Sequence, residues 1–442
     1  MPRLSFFSWA LLLLVGVLML PVLSVVGSWL QFDTAASDIL REMAQTVLPD
    51  YALTSLLLCV SVALGVALVG MATASAVTLF EFPGRRIFEW ALLLPLARPA
   101  VAAGVALALM ETLADYGVAS YFGIQTFTAG IYKAWLAMDN RIAAAQLATM
   151  LLVVVAVLLK LEHAAQKRMR FVSNRGGASN AADAAPTLLQ GKRAALAWLV
   201  CALPIALGFV LPVLFMLRPL VQGWGTLPWA QFGGWAFSSI WLASLSAVLA
   251  TLLAVLLGFA VRSRPSSLTR GTAQLASLGY AVPGAVIVVG MLIPVGWLQS
   301  TLPELKAGYW VTATALGIVW AYMVRFSAVA LQSVQSGYTR IPGSLDDSAR
   351  MLGTTGLGLL RRVHWPLLKR SVAVAALLVF VDVMKELPAT LVLRPFNSDT
   401  LAVVAYQLAR DERLGEAALP ALALVLVGLL PVALISRTLR RK

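Results

Sequence analysis

Uncharged apolar runs recur along the whole of this chain. Trp9 to Trp29, Tyr51 to Phe80, Ala194 to Leu217 and Trp229 to Val261 contain no charged residue. Each exceeds the roughly 18 residues needed to suggest a crossing of a hydrocarbon core ~30 Å thick. In lipid every backbone N–H and C=O must be satisfied internally, so such runs fold as helices and an open sheet is excluded. The chain is 60% hydrophobic and 12% charged over 442 residues, against about 45–50% and about 25% for soluble domains. The fold class that follows is an all-α polytopic membrane protein. Hydropathy predicts about ten transmembrane helices, near residues 8–30, 52–80, 88–113, 143–161, 194–217, 236–261, 272–297, 309–335, 371–393 and 417–436.

The formal net charge of +14 does not indicate nucleic acid. With the N-terminus inside, most Lys and Arg fall in the loops on that same side, which is the positive-inside bias. This predicts a multi-pass inner-membrane protein with both termini cytoplasmic. The first apolar run follows Pro2-Arg3 and has the outline of a signal peptide. Its length and the lack of a small-x-small cleavage site favour a retained helix. Cys59 and Cys201 both lie in apolar runs and form neither a disulfide framework nor a metal motif. No G-x-x-x-x-G-K-[ST] phosphate loop occurs, so ATP hydrolysis is not expected on this chain, and no cofactor is expected.

Residues 162–193 are small, polar and basic, from Gln166-Lys-Arg-Met-Arg170 through Gly176-Gly-Ala-Ser to Lys192-Arg193. They are expected to be a flexible cytoplasmic linker between a first repeat at 1–161 and a second at 194–442. Residues 31–50 carry four acids against Arg41 and suit an external loop. The two parts share an order of features. In the first, Pro95 or Pro99 opens a helix leading to Glu111 and Asp115, then Tyr132, then Asp139-Asn-Arg141. In the second, Pro366 leads to Asp382 and Glu386, then Tyr406, then Asp411-Glu-Arg413. Such a repeat suggests two pseudo-symmetric bundles about a central path.

Ionisable groups at the ends of membrane helices are costly and frequently functional. Glu111, Asp115, Asp382, Lys385 and Glu386 are therefore candidates for lining that path. The competing expectation is local pairing, since Lys385 lies three residues from Asp382 and next to Glu386. Arg325, inside an apolar run, is expected to be a structural partner or a snorkelling group.

One polar, basic segment stands apart between two apolar runs: Leu345-Asp-Asp-Ser-Ala-Arg-Met-Leu-Gly353 through Val363-His-Trp-Pro366. An acid near a helix start suits the dipole, Gly353 permits a sharp turn, and Pro366 is suited to open the next helix. The spacing resembles the signature loop of ABC importer membrane subunits, E-A-A-x3-G-x9-I-x-L-P. Asp347 stands for the Glu, Ser348 for the first Ala, Val363 for the Ile and Trp365 for the Leu; Ala349, Gly353 and Pro366 match, and the spacing is intact. The resemblance implies the type I importer permease fold. It also implies that Asp347, Ser348, Ala349, Gly353, Val363 and Pro366 couple the chain to a separate ATPase.

Three further segments resemble the fused, two-repeat permeases of ferric-iron importers: Glu111 to Tyr132, Gly279-Tyr-Ala-Val-Pro-Gly284, and Val383 to Thr390 with Leu393-Arg-Pro-Phe396. That family implies two ATP-binding subunits on the cytoplasmic side, a periplasmic substrate-binding protein, and ferric iron as cargo. Thiamine, sulfate, molybdate and polyamine are the alternatives, and a degenerate, non-transporting scaffold is the alternative outside the class. Ferric iron is a hard cation preferring oxygen ligands, so only carboxylates and tyrosine hydroxyls are candidates to meet it. The first repeat departs from the family pattern, with about four helices and no signature loop. Two helices and the loop between them are expected to be missing near residues 90–100.

Overall fold

In a computed structural model, residues 6–31, 33–85, 87–88, 98–175, 186–263 and 265–440 are described, and nearly all of them are helical. Seven helices among the described residues are long and apolar enough to cross a membrane: Trp9–Leu30, Leu48–Leu79, Arg141–Leu158, Lys192–Gln222, Trp229–Ser263, Gly284–Thr301 and Ala315–Tyr338. The Trp365–Met384 and Leu414–Arg440 helices, and the described stretch Arg98–Ala114, take the places of the other expected spans. The chain is thus a polytopic helical membrane protein.

The core lies mainly in the second half. The Trp229–Ser263, Ala315–Tyr338 and Trp365–Met384 helices pack pairwise against each other. Their contact surfaces are small or β-branched, with Ala243, Ala250, Ala254, Ala328, Ala330, Ala375 and Val379 fully buried. Lipid tails are as apolar as leucine, so close backbone approach rather than water exclusion holds such helices together. The first helix of each half crosses to the other. Phe6–Gly27 packs along Gly284–Thr301, and a Cβ on Gly290 would sit 2.0 Å from the Pro21 carbonyl oxygen. Only glycine allows that approach. In return, Ala197 and Cys201 of Lys192–Ile205 are buried with Ala76 and Val77 at the end of Leu48–Leu79. The membrane-facing sides stay apolar and exposed, as at Leu57, Leu64, Leu207 and Phe215.

Several expectations change in detail. The segment near 272–297 is not one helix: Ser267–Ser277 ends before a turn at Gly279–Ala281, and Gly284–Thr301 follows Pro283. The segment expected at 371–393 stops at Met384 and restarts at Pro388, because Glu386 takes over the backbone donors there. Residues 31–50 are largely a helix, Thr34–Thr46, capped by the Asp33 side chain; a single Asx cap with one apolar stripe is enough to wind it. The stretch expected to be a flexible linker from residue 162 begins instead as helix, since Arg141–Arg175 runs through it. At its far end Thr187–Leu188 pairs in parallel with Phe80–Glu81. The junction expected near residues 90–100 falls largely outside the described residues.

Candidate functional site

All five candidate path residues converge on one place. Glu111, Asp115, Asp382, Lys385 and Glu386 line a single cavity of about 120 Å³, together with Arg325, Gly117 and Pro388. It lies where Arg98–Ala114 and Trp365–Met384 both end. Among the described residues four carboxylates face two cations there, so this lining carries a net negative formal charge.

The carboxylates divide into two kinds. Asp115 and Glu386 are caps. Asp115 accepts from the N–H groups of Val118 (3.5 Å) and Ala119 (3.1 Å), three and four residues on. Glu386 accepts from those of Ala389 and Thr390, each at 3.0 Å and again three and four residues on. Each thereby satisfies donors that a new helix turn leaves without partners. Glu386 is buried and also accepts from the Thr390 hydroxyl at 2.7 Å and from Arg325 at 3.1 Å. Arg325 is thus a structural partner, as expected. Glu111 and Asp382, one turn earlier on each side, cap no backbone N–H among the described residues. They are bridged by Lys385, whose Nζ is 3.1 Å from Asp382 and 3.7 Å from Glu111. Tyr280 donates its hydroxyl to Glu111 at 2.9 Å.

The parallel between the two sides extends past the carboxylates. Thr126 caps Phe127–Tyr132 and Thr400 caps Leu401–Arg410. The next N–H in each is taken by a serine from a long helix, Ser55 for Phe127 (3.0 Å) and Ser239 for Leu401 (2.8 Å). At the same distance from each threonine stands a tyrosine that reaches the other half. Tyr132 donates to the Pro388 carbonyl at 2.7 Å, and Tyr406 pairs with the Ser120 hydroxyl at 2.8 Å. The Tyr116 ring lies between them, 4.3 Å from Tyr132 and 6.1 Å from Tyr406 by ring centroids.

The second cluster is the loop after Ala315–Tyr338. Gly343–Met351 is a short helix, Gly353 turns with φ +80°, and Trp365–Met384 starts with Pro366 in its first turn. Ala349 is buried against Phe259 and Leu359, with Val363 packed alongside. Asp347 is exposed and pairs with Arg350. Its neighbour Asp346 is the buried acid, bonded to Arg262 at 2.7 Å and to His364 Nε2 at 3.1 Å. Arg262 also donates to the Ile341 carbonyl, and His364 Nδ1 faces the Tyr338 hydroxyl at 3.3 Å. This polar knot ties the loop to the ends of two core helices. Met351, Leu352 and Leu357 project outward at 90%, 84% and 69% exposure.

Burial alone would raise the Asp346 carboxyl, but the hydrogen bonds from Arg262 and His364 outweigh it and hold the group below the usual carboxylate range. Its stabilising contribution is therefore complete above that range and is lost as pH falls through the depressed folded value. Asp346→Asn should cost about 1.5–3 kcal/mol at pH 7, the worth of hydrogen bonds to a charged group. In thermal unfolding across pH, the gap between variant and wild type should close in acid below the usual carboxylate range. A gap unchanged by pH would contradict this role.

Comparison with known proteins fits this geometry. No family model matches the chain. Over 351 residues, covering 79% of the chain and 67% of the relative, it is 25% identical to a ferric-iron transport system permease of Haemophilus influenzae. Its homologues are ABC importer permeases. A permease named for 2-aminoethylphosphonate transport in Salmonella typhimurium is 27% identical over 57% of this chain and 96% of its own length. The thiamine transport system permease of the same organism is 32% identical over 32% of this chain and 27% of its own length.

Within this permease homologue, sequence reasoning missed the two bonding tyrosines as contacts and Asp346 altogether. The matched Thr126/Tyr132 and Thr400/Tyr406 spacings were the available signal for the first. For Asp346 there was none, because two adjacent aspartates give no sign of which one faces the helices.

Proposed function

We propose that the chain is the membrane subunit of a binding-protein-dependent ABC importer, and that its cargo is ferric iron. A periplasmic protein delivers the cargo, and two separate ATP-binding subunits on the cytoplasmic side drive alternating access. Both termini face the cytoplasm. Asp347, Ser348, Ala349, Gly353, Val363 and Pro366 form the coupling loop. Glu111, Asp115, Asp382, Lys385 and Glu386 line the path near its outer end.

The observation that carries the coupling is the apolar tip at Met351, Leu352 and Leu357, raised on a loop anchored through Asp346. Exposed apolar groups on a polar loop suit a protein partner. The cargo reading rests on the ferric-iron relative and on the cavity's excess of carboxylates. A negative lining attracts a cation and repels the anions among the alternatives, such as sulfate, molybdate and a phosphonate. Thiamine, also cationic, is the second reading, favoured by the stretch of 32% identity.

The drive is one-sided in this proposal. Between Phe82 and Arg98 there is no room for two membrane helices of about 20 residues each and the loop that would join them. The first repeat is accordingly a shortened one, and the only signature loop in the sequence lies in the second.

The test is uptake by vesicles containing the chain with a candidate ABC ATPase and a periplasmic binding protein. ATP-dependent accumulation of ferric iron, and not of thiamine or 2-aminoethylphosphonate, is expected. Accumulation of another cargo would replace iron, and no accumulation of any cargo would favour a non-transporting scaffold.

A further inference from the structure

Counted from the capping carboxylates Asp115 and Glu386, Glu111 corresponds to Asp382 and Ala114 corresponds to Lys385. Two equivalent carboxylates from opposite halves thus face one another and share a single ammonium, supplied by one half only. We infer that Lys385 is the pin of an outer gate whose jaws carry Glu111 and Asp382. The reciprocal bonds of Tyr132 and Tyr406 latch the same two segments together. The geometry stands on these contacts alone; only the gate's purpose rests on the transporter reading.

The argument is electrostatic. Asp115 and Glu386 are held by backbone N–H groups of their own segments, and Glu386 also by Arg325, so they remain satisfied when the halves part. Among the described residues Glu111 and Asp382 have no such backbone donors. Tyr280 donates to Glu111 but carries no charge to offset it. Without Lys385, two like charges stay close together in a partly desolvated cavity, which drives them apart. With Lys385 in place, each jaw is attracted to the same cation. The closed gate is held by a contact that an arriving cation weakens through competition for the same oxygens.

The pin is tested by the distance between spin labels at Phe122→Cys and Phe396→Cys, in a background with Cys59→Ala and Cys201→Ala. Both labelled positions are exposed, and they lie just beyond the capped turns of opposite halves. The full chain is measured in lipid nanodiscs without nucleotide. Lys385→Met should move the main peak to longer distance by more than its width, while Lys385→Arg should leave it in place. Adding Glu111→Gln to Lys385→Met removes the repulsion and should return the peak to the wild-type position. Superposition of Lys385→Met on wild type overturns the inference, as does a failure of Glu111→Gln to reverse its effect. No ATPase enters the measurement, so a failure here is distinct from failure of the transporter reading, which uptake and ATPase contact decide.

Discussion

Glu386→Ala is expected to destabilise the protein by about 3–5 kcal/mol, the cost of breaking a buried pair and stranding its partner. The Glu386 side chain is 1% exposed and that of Arg325 is 11% exposed. The substitution removes the acceptor for Arg325, for the N–H groups of Ala389 and Thr390, and for the Thr390 hydroxyl. Thr390 in turn pairs with Tyr322 at 2.6 Å, so the loss spreads into the Ala315–Tyr338 helix. Arg325→Met should cost less, about 1.5–3 kcal/mol, because Glu386 keeps its other three donors. Thermal unfolding in detergent measures both. The order is the diagnostic part: if Arg325→Met were the more damaging, Glu386 would be chiefly a counter-ion and not a helix cap.

Gly353→Val is expected to separate ATP hydrolysis from uptake. Gly353 has φ +80°, and a Cβ there would meet nothing within 4 Å. Space is therefore not the constraint. The cost is purely conformational, about 1–2 kcal/mol for an ordinary residue in the left-handed region, and more for a β-branched one. The turn would relax by swinging Gly343–Met351, and with it the apolar tip, away from its anchored position. Uptake should fall on the order of tenfold, the factor that ~1.4 kcal/mol represents, with the protein still in the membrane and ATP still hydrolysed. Gly353→Asn, which tolerates this backbone region better, should be milder. Unchanged uptake in the valine variant would remove Gly353 from the coupling.

Much of this was legible in the sequence. The apolar runs placed the membrane helices, and Pro366 and Gly353 marked the loop's punctuation where the structure has it. The five path candidates were found by the cost of ionisable groups near lipid, and they do share one cavity. What could not be read was the division of labour among them. Whether a carboxylate caps its own segment or reaches across depends on side-chain direction at a helix break, and neither break had a fixed boundary in the sequence. Thr34–Thr46 was hidden for another reason. Its acids suit an external loop, and its short apolar stripe is outweighed by composition. The cross-half tyrosines were visible as repeat markers, but a repeat alone does not say which copy touches which.

The central claim is that a separate ATPase grips this chain at the loop from Gly343 to Pro366. Photo-crosslinking from Met351 in membranes that contain a candidate ABC ATPase tests it most directly, with Phe396 as the control position beyond the far end of the Trp365–Met384 helix. The account predicts an adduct of chain and ATPase from Met351 and none from Phe396. Lipid adducts alone from Met351, or an ATPase adduct from Phe396, would contradict it.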